Sequence, residues 1–214
     1  MSARPVQGNI FIVGLAGPSG SGKSTVAKRV ASRLNGHVIS METYSYSAEM
    51  NHLPLEERAK LDYDAPGAID VKLLESHIRD YAAGKAIEAP IYDFAQHLRV
   101  RDRREHIPAK SLLIVEGILA LHFAQLRPHF NLSIYLEAPD EVCFHRRKVR
   151  DITERQRPLD LILWQYQNTV LPATRQYVLP SKAYANLVIE SGADLPTVEN
   201  RLYEAIVNRR AGAR

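Results

Sequence analysis

A glycine-rich segment near the start of the chain carries the residue types that bind phosphate. Residues 17–25 read GPSGSGKST, which satisfies the P-loop spacing of a glycine, four residues, then glycine, lysine and serine. Glycines let the backbone curl so that successive N–H groups point at phosphate oxygens, and the positive end of the following helix adds to the field. A tight strand-to-helix turn without a ligand is the alternative. The predicted nucleotide-binding residues are Gly17, Pro18, Ser19, Gly20, Ser21, Gly22, Lys23, Ser24 and Thr25.

Two oxygen-bearing side chains are candidates for magnesium. Lys23 supplies a point charge for the outer phosphates, and the Ser24 hydroxyl beside it is the expected metal ligand. Glu116 directly follows the apolar run 112–115, so its carboxylate is placed to approach the ion from a neighbouring strand end. Mg²⁺ prefers oxygen ligands and keeps waters with one or two carboxylates. The alternative for Glu116 is an acid that merely ends a strand.

A third segment is dense in cations. Phosphoryl transfer needs positive charge on the migrating group and exclusion of water, and an arginine-bearing lid provides both. An exposed helix with ion pairs to Asp151 and Glu154 is the alternative. The cations on and after a helix predicted from residue 140 are Arg146, Arg147, Lys148, Arg150, Arg155 and Arg157.

Alternating strands and helices must position these groups. Short apolar runs predict strands at residues 10–16, 38–40, 112–115, 132–136 and 187–189. Helical spacing predicts helices at residues 23–34, 71–83, 140–154, 159–177 and 196–209. Near-continuous apolar strands indicate a parallel sheet covered on both faces. The pattern predicts an α/β fold, a three-layer sandwich of the P-loop NTPase type with a mostly parallel sheet.

Two local features interrupt this alternation. Residues 87–107 alternate large and charged residues at period two, which predicts a β-hairpin inserted beside the sheet. Its arginines at 99, 101, 103 and 104 are interleaved with acids, so we expect a solvated strand face in preference to a nucleic-acid-binding stripe. Pro172 falls inside the helix predicted at 159–177, where we expect a kink or break.

The composition is that of an ordinary globular domain. With 214 residues, 45% of them hydrophobic and 24% charged, one domain over 1–214 is expected, with a substrate hairpin at about 87–107 and a lid at about 144–158. A net charge of +4 suits small anionic substrates and only weakly suggests nucleic acid. The single cysteine, Cys143, is expected to be a buried packing residue. No membrane-length apolar stretch or secretory signal is found, so a cytoplasmic location is expected.

Six blocks together resemble the uridine kinase (uridine-cytidine kinase) family over about residues 10–194. They are GPSGSGKST, YDAPGAID, APIYDFAQH, LLIVEGILAL, RRKVRDITERQR and WQYQNTVLPA, in the family's order and spacing. The resemblance implies a P-loop kinase that transfers the γ-phosphate of ATP to the 5′-hydroxyl of uridine or cytidine in pyrimidine salvage, with Mg²⁺. It further implies GTP as a second candidate donor and a homo-oligomer, commonly a tetramer. Neither a nucleic acid nor a membrane is an expected partner.

The resemblance also assigns roles to individual residues. Asp64 matches the acid that holds ribose hydroxyls, and Tyr92, Phe94 and His97 match the contacts around the pyrimidine. An aromatic ring offers a stacking face, and a histidine can hydrogen-bond the base edge where uracil and cytosine differ. Further assignments place Arg147, Arg157 and Gln165 at the nucleoside, Arg150 and Arg155 at the phosphates, and Asp194 near the ATP base.

The chain departs from the family's pattern at two positions. The family's catalytic aspartate is replaced by Glu42, in the sequence Glu42-Thr43-Tyr44-Ser45. Glutamate can still accept a hydroxyl proton or contact magnesium, but it is longer by one C–C bond, about 1.5 Å. A misplacement of that size can cost about a hundredfold in rate. Ala65 stands where the family usually carries histidine, next to the retained Asp64.

Three hypotheses follow. The first is an active pyrimidine nucleoside kinase, in which Lys23, magnesium and the arginines stabilise the transferring phosphoryl group and Glu42 accepts the 5′-hydroxyl proton. The second is a catalytically weakened or degenerate nucleotide-binding protein, motivated by Glu42 and Ala65. The third is a kinase of another small hydroxyl substrate, such as a modified nucleoside or sugar phosphate, against which the retained residues around the pyrimidine argue.

Overall fold

Seven strands form two sheets in the computed structural model, which describes residues 10–45, 50, 52–191 and 194–212. The strands are β1 (Phe11–Ala16), β2 (His37–Ser40), β3 (Ile87–Asp93), β4 (Leu98–Ile107), β5 (Leu112–Glu116), β6 (Leu132–Glu137) and β7 (Leu187–Glu190). Five of them make the central sheet in the order β2-β5-β1-β6-β7, and all four neighbouring pairs are parallel. The predicted α/β fold with a mostly parallel sheet is confirmed.

Helical segments cover both faces of this sheet. They are α1 (Lys23–Arg33), α2 (Leu55–Arg58), α3 (Val71–Ala82), α4 (Asp140–Thr153), α5 (Leu159–Gln165), α6 (Leu171–Ala173), α7 (Leu179–Ser181) and α8 (Leu195–Gly212). Successive side chains of a strand point to opposite faces, so Leu113 and Val115 of β5 join one apolar core. Ile114, between them, joins the other. Helix α3 packs on one face of the sheet in the first core, and α1 and α8 pack on the other face in the second core. Because every residue of β1 and β5 is buried, their carboxyl ends provide a rigid platform for side chains.

The hairpin of β3 and β4 is an antiparallel pair separate from the central sheet. Its register shifts between Pro90 and Tyr92, where proline has no N–H to donate to the ladder. The predicted hairpin is confirmed, but the prediction that Arg99 lies on its solvated face is wrong. Arg101, Arg103 and Arg104 are exposed, whereas Arg99 is buried, because its guanidinium reaches inward to backbone carbonyls of another loop.

Of the kink or break expected at Pro172, a break is not found, but the hydrogen-bonding pattern of the helix is irregular on both sides of the residue. Helical conformation continues from Leu159 to Tyr184, and Pro172 lies in α6, between the π-helical segments Tyr166–Val170 and Thr174–Val178. A π-helical turn shifts hydrogen bonds from i−4 to i−5 acceptors, which accommodates a residue that lacks an N–H and crowds the preceding turn. The proline is therefore absorbed without ending the helical run.

Two smaller expectations can be compared with the structure. Cys143 is buried, as predicted. Among the helices of the described residues, none is both long and apolar enough to cross a membrane.

Candidate active site

The glycine-rich loop joins the end of β1 to the start of α1, where the sequence places it. Gly17, Gly20 and Gly22 have φ of 144°, 88° and 94°, a region that side chains other than glycine rarely adopt. A Cβ on Gly20 would lie 2.2 Å from the carbonyl oxygen of Cys143. The loop therefore packs directly against α4, the helix that carries the predicted lid.

The side chain of Lys23, the first residue of α1, is buried against this loop. It is only 5% exposed, and its Nζ donates a hydrogen bond to the carbonyl oxygen of Pro18 at 2.8 Å. Burial lowers the pKa of Lys23, and the carboxylates of Glu116 and Glu42 partly oppose that shift. A buried ammonium group near two carboxylates and a curled backbone is well placed to receive phosphate oxygens.

Two of the three magnesium candidates, Ser24 and Glu116, are in contact, and the third is Glu42. Glu116 ends β5, beside Leu15 of β1, and the Ser24 hydroxyl donates to its Oε1 at 3.0 Å. Glu116 Oε2 is buried and has no hydrogen-bond partner among the described residues. An unpartnered buried carboxylate oxygen beside a hydroxyl fits a magnesium ion that takes its remaining ligands from water and phosphate. In the described part of the chain, no group of three or more His, Cys, Asp or Glu side chains is arranged to hold a metal.

Glu42 lies on the turn Met41–Tyr44, directly after β2. Its Oε2 accepts a hydrogen bond from Nη2 of Arg155 at 3.1 Å. Burial would raise the pKa of this carboxyl, but Arg155, Arg150 and Lys23 outweigh it and lower the pKa to about 2. Glu42 is therefore ionised and ion-paired in the free protein.

Removal of Arg155 tests whether this ion pair lowers the pKa of Glu42. In Arg155→Met we expect the pKa of Glu42 to rise, because Arg155 is its strongest stabilising charge. With arginine present, the carboxylate stays charged until the pH falls through about 2; in the variant it should protonate at higher pH. A carboxyl ¹³C NMR titration measures this shift.

The control for that titration is Arg103→Met, which removes an exposed arginine of the hairpin. An unchanged Glu42 pKa in Arg155→Met would contradict the assignment of Arg155 as its partner.

Four arginines of the predicted lid converge on one acid. We call Arg147, Arg150, Arg155 and Arg157 the lid arginines, and each forms an ion pair with Asp151. Asp151 has no exposed side-chain surface, so the exposed helix with surface ion pairs is not what the structure shows. The acid lies four residues after Arg147 on α4, a spacing that places both on one helical face. Arg155 and Arg157 reach the same acid from the segment that follows the end of the helix at Thr153.

A cavity next to the lid brings together the residues assigned to the nucleoside. Tyr92 and Phe94 lie with ring centroids 5.0 Å apart, and the guanidinium of Arg155 covers Phe94 at 4.3 Å from the ring centroid. Burial raises the pKa of Asp64, an effect that Arg147 partly offsets. All seven predicted substrate residues line this cavity: Asp64, Tyr92, Phe94, His97, Arg147, Arg157 and Gln165.

His97 is held neutral in this cavity. It is 3% exposed, and burial, with the nearby Arg157 and Arg155, lowers its pKa to about 3. A neutral imidazole has one donor and one acceptor nitrogen. It can therefore recognise a base edge without adding charge.

Two further arginines, which sequence reasoning missed, hold the loops of the site. Arg99 donates to the carbonyl oxygens of Ser45, at 3.0 Å, and Tyr44, so the hairpin fixes the turn that carries Glu42. Arg58 donates to the carbonyl oxygen of Gln96 at 2.9 Å, next to His97. Arg58 also donates to the nearby carbonyl oxygen of Leu53. The contacts that join separate loops have no local sequence signal, because their partners lie 38 to 55 residues away.

Asp194 has a structural contact of its own. It precedes α8 and accepts hydrogen bonds from the backbone N–H of Thr197 at 3.1 Å and from its hydroxyl at 2.8 Å. This is the geometry of a helix N-cap. Its assignment near the ATP base remains a prediction.

Comparisons with known proteins match nearly the whole chain. A family model described as "Phosphoribulokinase / Uridine kinase family" matches residues 12–198. The uridine kinase of Clostridium tetani is 40% identical over 193 residues, which are 90% of each chain. The uridine kinase of Cronobacter sakazakii is 40% identical over 186 residues, 85% of this chain and 87% of that protein. A solved kinase structure from Silicibacter sp. TM1040 superposes with a TM-score of 0.66 at 23% identity, covering 87% of this chain and 93% of that one.

Proposed function

The chain belongs to the phosphoribulokinase and uridine kinase family, and from this membership we propose that it transfers the γ-phosphate of ATP to the 5′-hydroxyl of uridine or cytidine. The products are ADP and the nucleoside 5′-monophosphate, a reaction of pyrimidine salvage. The uridine kinases that match the chain at 40% identity support this assignment.

The position of Glu42 carries the proposal. Glu42 lines the cavity that holds Asp64, Tyr92 and His97, and it also lines the cavity formed by Lys23 and Ser24 of the glycine-rich loop. A carboxylate at the border between a nucleoside cavity and a phosphate cavity lies where a 5′-hydroxyl would meet a γ-phosphate. This is the geometry that direct transfer between two bound substrates requires.

The lid arginines and Lys23 supply the charge for the transfer. The 5′-oxygen bonds to the γ-phosphorus, the bond to the oxygen bridging the β- and γ-phosphorus atoms breaks, and Glu42 takes the hydroxyl proton. Glu42 is first released from Arg155, because the γ-phosphate competes for that guanidinium. Once released, the carboxylate loses its strongest stabilising charge, so its pKa rises and it becomes a better base. Bound Mg²⁺, held by Ser24 and Glu116, would neutralise phosphate charge.

The base is recognised by stacking and by hydrogen bonds. Tyr92 and Phe94 provide aromatic surface, and the neutral His97 provides a donor and an acceptor at the base edge. The departure at Ala65 is partly compensated in the backbone, because the side chain of Asp62 accepts hydrogen bonds from the N–H groups of Asp64 and Ala65 at 3.0 and 3.1 Å. The segment that presents the ribose-binding acid is thus held without the family's histidine.

Removal of the stacking ring should weaken nucleoside binding. We expect Phe94→Ala to raise KM for uridine by tenfold or more, since stacking of a base on an aromatic side chain contributes about 1–3 kcal/mol. KM for ATP should change less. Steady-state kinetics with each substrate varied in turn measures both effects.

Phe94→Tyr, which keeps the ring, is the control and should retain a KM close to that of the unmodified protein. An equal loss in both variants would argue against stacking as the role of Phe94.

A coupled assay tests the function itself. ADP formation that depends on uridine or cytidine, with the monophosphate identified as product, is the expected result. Absence of turnover with either nucleoside, while ATP still binds, would favour the degenerate nucleotide-binding protein. A panel of modified nucleosides and sugar phosphates tests the kinase of another hydroxyl substrate. The same assay with GTP tests the second donor.

Assembly and location belong to the same proposal. The family resemblance suggests a homotetramer in the cytoplasm, with no nucleic-acid or membrane partner. Light scattering coupled to size exclusion would give the mass of the assembly, and a mass equal to one 24.1 kDa chain would contradict the tetramer.

A further inference from the structure

We propose that Asp151 is a positioning residue that holds the four lid arginines in the orientation needed for phosphoryl transfer. The proposal rests on the proposed kinase function and adds a residue to its machinery. Asp151 does not face either cavity, so its effect would act through the arginines alone.

One carboxylate, that of Asp151, lies within ion-pair distance of four guanidinium groups. Its Oδ1 lies 2.8 Å from Nη2 of Arg150 and 3.6 Å from Nη1 of Arg155. Its Oδ2 lies 3.3 Å from Nη1 of Arg157 and 3.5 Å from Nε of Arg147. Two of the four contacts include hydrogen bonds, from Nε of Arg150 to Oδ1 at 2.9 Å and from Nη1 of Arg157 to Oδ2 at 3.3 Å. The contacts with Arg147 and Arg155 are longer ion pairs, so each carboxylate oxygen faces two guanidinium groups.

The guanidinium groups of three of these arginines also contact other parts of the site. Arg147 donates to the Ser19 hydroxyl of the glycine-rich loop at 2.9 Å. Arg155 donates to Glu42 at 3.1 Å, and Arg157 donates to the side-chain oxygen of Gln165 at 3.2 Å. Through these arginines, the buried carboxylate of Asp151 is connected to the glycine-rich loop, to the proposed general base Glu42 and to the nucleoside cavity.

Electrostatics explains why an acid is needed here. Four guanidinium groups in one buried cluster repel each other, and each long side chain loses conformational entropy when it is ordered. Burial alone would raise the pKa of Asp151, but the four arginines outweigh it and lower the pKa, so the carboxylate stays charged. Glu42 and Asp64 also pair with arginines of this cluster, but even three carboxylates against four guanidinium groups leave an excess of positive charge for the phosphates.

The first test is kinetic. In Asp151→Asn, which keeps the shape but removes the charge, we expect kcat to fall by about 100-fold, the effect of a displacement of about 1 Å in a catalytic group. The Kd for ATP should not increase, because the variant gains one net positive charge, which favours binding of the anionic nucleotide. The control is Asp160→Asn on α5, an exposed acid of the same region, which should keep the kcat of the unmodified protein. A kcat in Asp151→Asn within threefold of that value would overturn the proposal.

The second test observes the arginines without any substrate. Ordered guanidinium groups give resolved Nε–Hε signals in ¹H–¹⁵N NMR spectra, and we expect the signals of the lid arginines to be lost or shifted in Asp151→Asn but not in Asp160→Asn. Unchanged arginine signals beside a lowered kcat would overturn the positioning role. If the unmodified protein phosphorylates no nucleoside, the proposed function fails, and these spectra still decide the role of Asp151.

A third variant covers the case in which Asp151→Asn does not fold. Asp151→Glu keeps the charge but moves the carboxylate by about 1.5 Å, so shifted arginine signals and a lowered kcat are expected. A kcat equal to that of the unmodified protein would contradict the proposal. If neither variant folds, Asp151 is a structural residue and the proposal fails.

Discussion

Replacement of Lys23 by methionine is expected to lower kcat/KM by about 10³-fold, the effect of removing one charge or hydrogen-bond donor aimed at the transition state. Methionine keeps an unbranched apolar side chain of similar length but cannot neutralise the outer phosphates. The buried Nζ donates to the carbonyl oxygen of Pro18 in the free protein, and the variant loses that hydrogen bond, although the backbone N–H of Ser21 still donates to the same oxygen at 3.1 Å. Both kcat/KM for ATP and the Kd for ATP should be measured.

The matched control is Lys72→Met on α3, which removes an exposed lysine and should leave both quantities unchanged. A thermal unfolding curve for each variant separates loss of phosphate contact from loss of the fold. Retention of kcat/KM within tenfold in a folded Lys23→Met protein would contradict the role assigned to Lys23.

Replacement of Glu42 by glutamine should lower kcat by about 10³-fold, within the range attributed to a positioned general base. Glutamine is similar in shape and keeps an acceptor for Arg155, so the turn Met41–Tyr44 should remain folded. Glu204→Gln on α8 removes an exposed acid and serves as control. Equal kcat in Glu42→Gln and the unmodified protein would show that another group accepts the proton.

The variant Glu42→Asp tests whether the protein is an active kinase adapted to glutamate at this position or an enzyme weakened by the loss of aspartate. Because the longer glutamate reaches Arg155 at 3.1 Å from a turn held by Arg99, we expect the surrounding backbone to be adapted to glutamate. Aspartate would withdraw the carboxylate by about 1.5 Å, with a loss of kcat of up to about 100-fold. A large gain of activity in Glu42→Asp, from a near-zero baseline, would instead identify a weakened enzyme.

The substrate residues illustrate how a resemblance and a structure support each other. Tyr92, Phe94 and His97 lie within a few residues in the hairpin, but Asp64 and Gln165 are far from it in sequence. The fold brings all of them to one cavity. Their roles in binding are predictions that steady-state kinetics tests.

The elements of the fold were predictable because their signals are local. The glycine-rich loop is a run of nine adjacent residues whose spacing dictates the backbone curl, and buried strands such as β5 are short apolar runs. The hairpin follows from alternation at period two, which places every second side chain on the same face. In each case the sequence signal lies within a single turn or strand, although the strands themselves pair with partners elsewhere in the chain.

The tertiary structure decided which charged side chains are buried and with what partners. Arg99 was expected on a solvated face, yet it bonds to the carbonyl oxygen of Tyr44, 55 residues away. The alternative of an exposed helix would have placed Asp151 at the surface, yet it lies buried at the centre of the lid arginines. Periodicity tells which face of an element a residue occupies, but not which other element packs on that face. A charge on a helix or strand is exposed or buried according to that packing, and therefore only the folded chain revealed that the arginines of the lid share one acid.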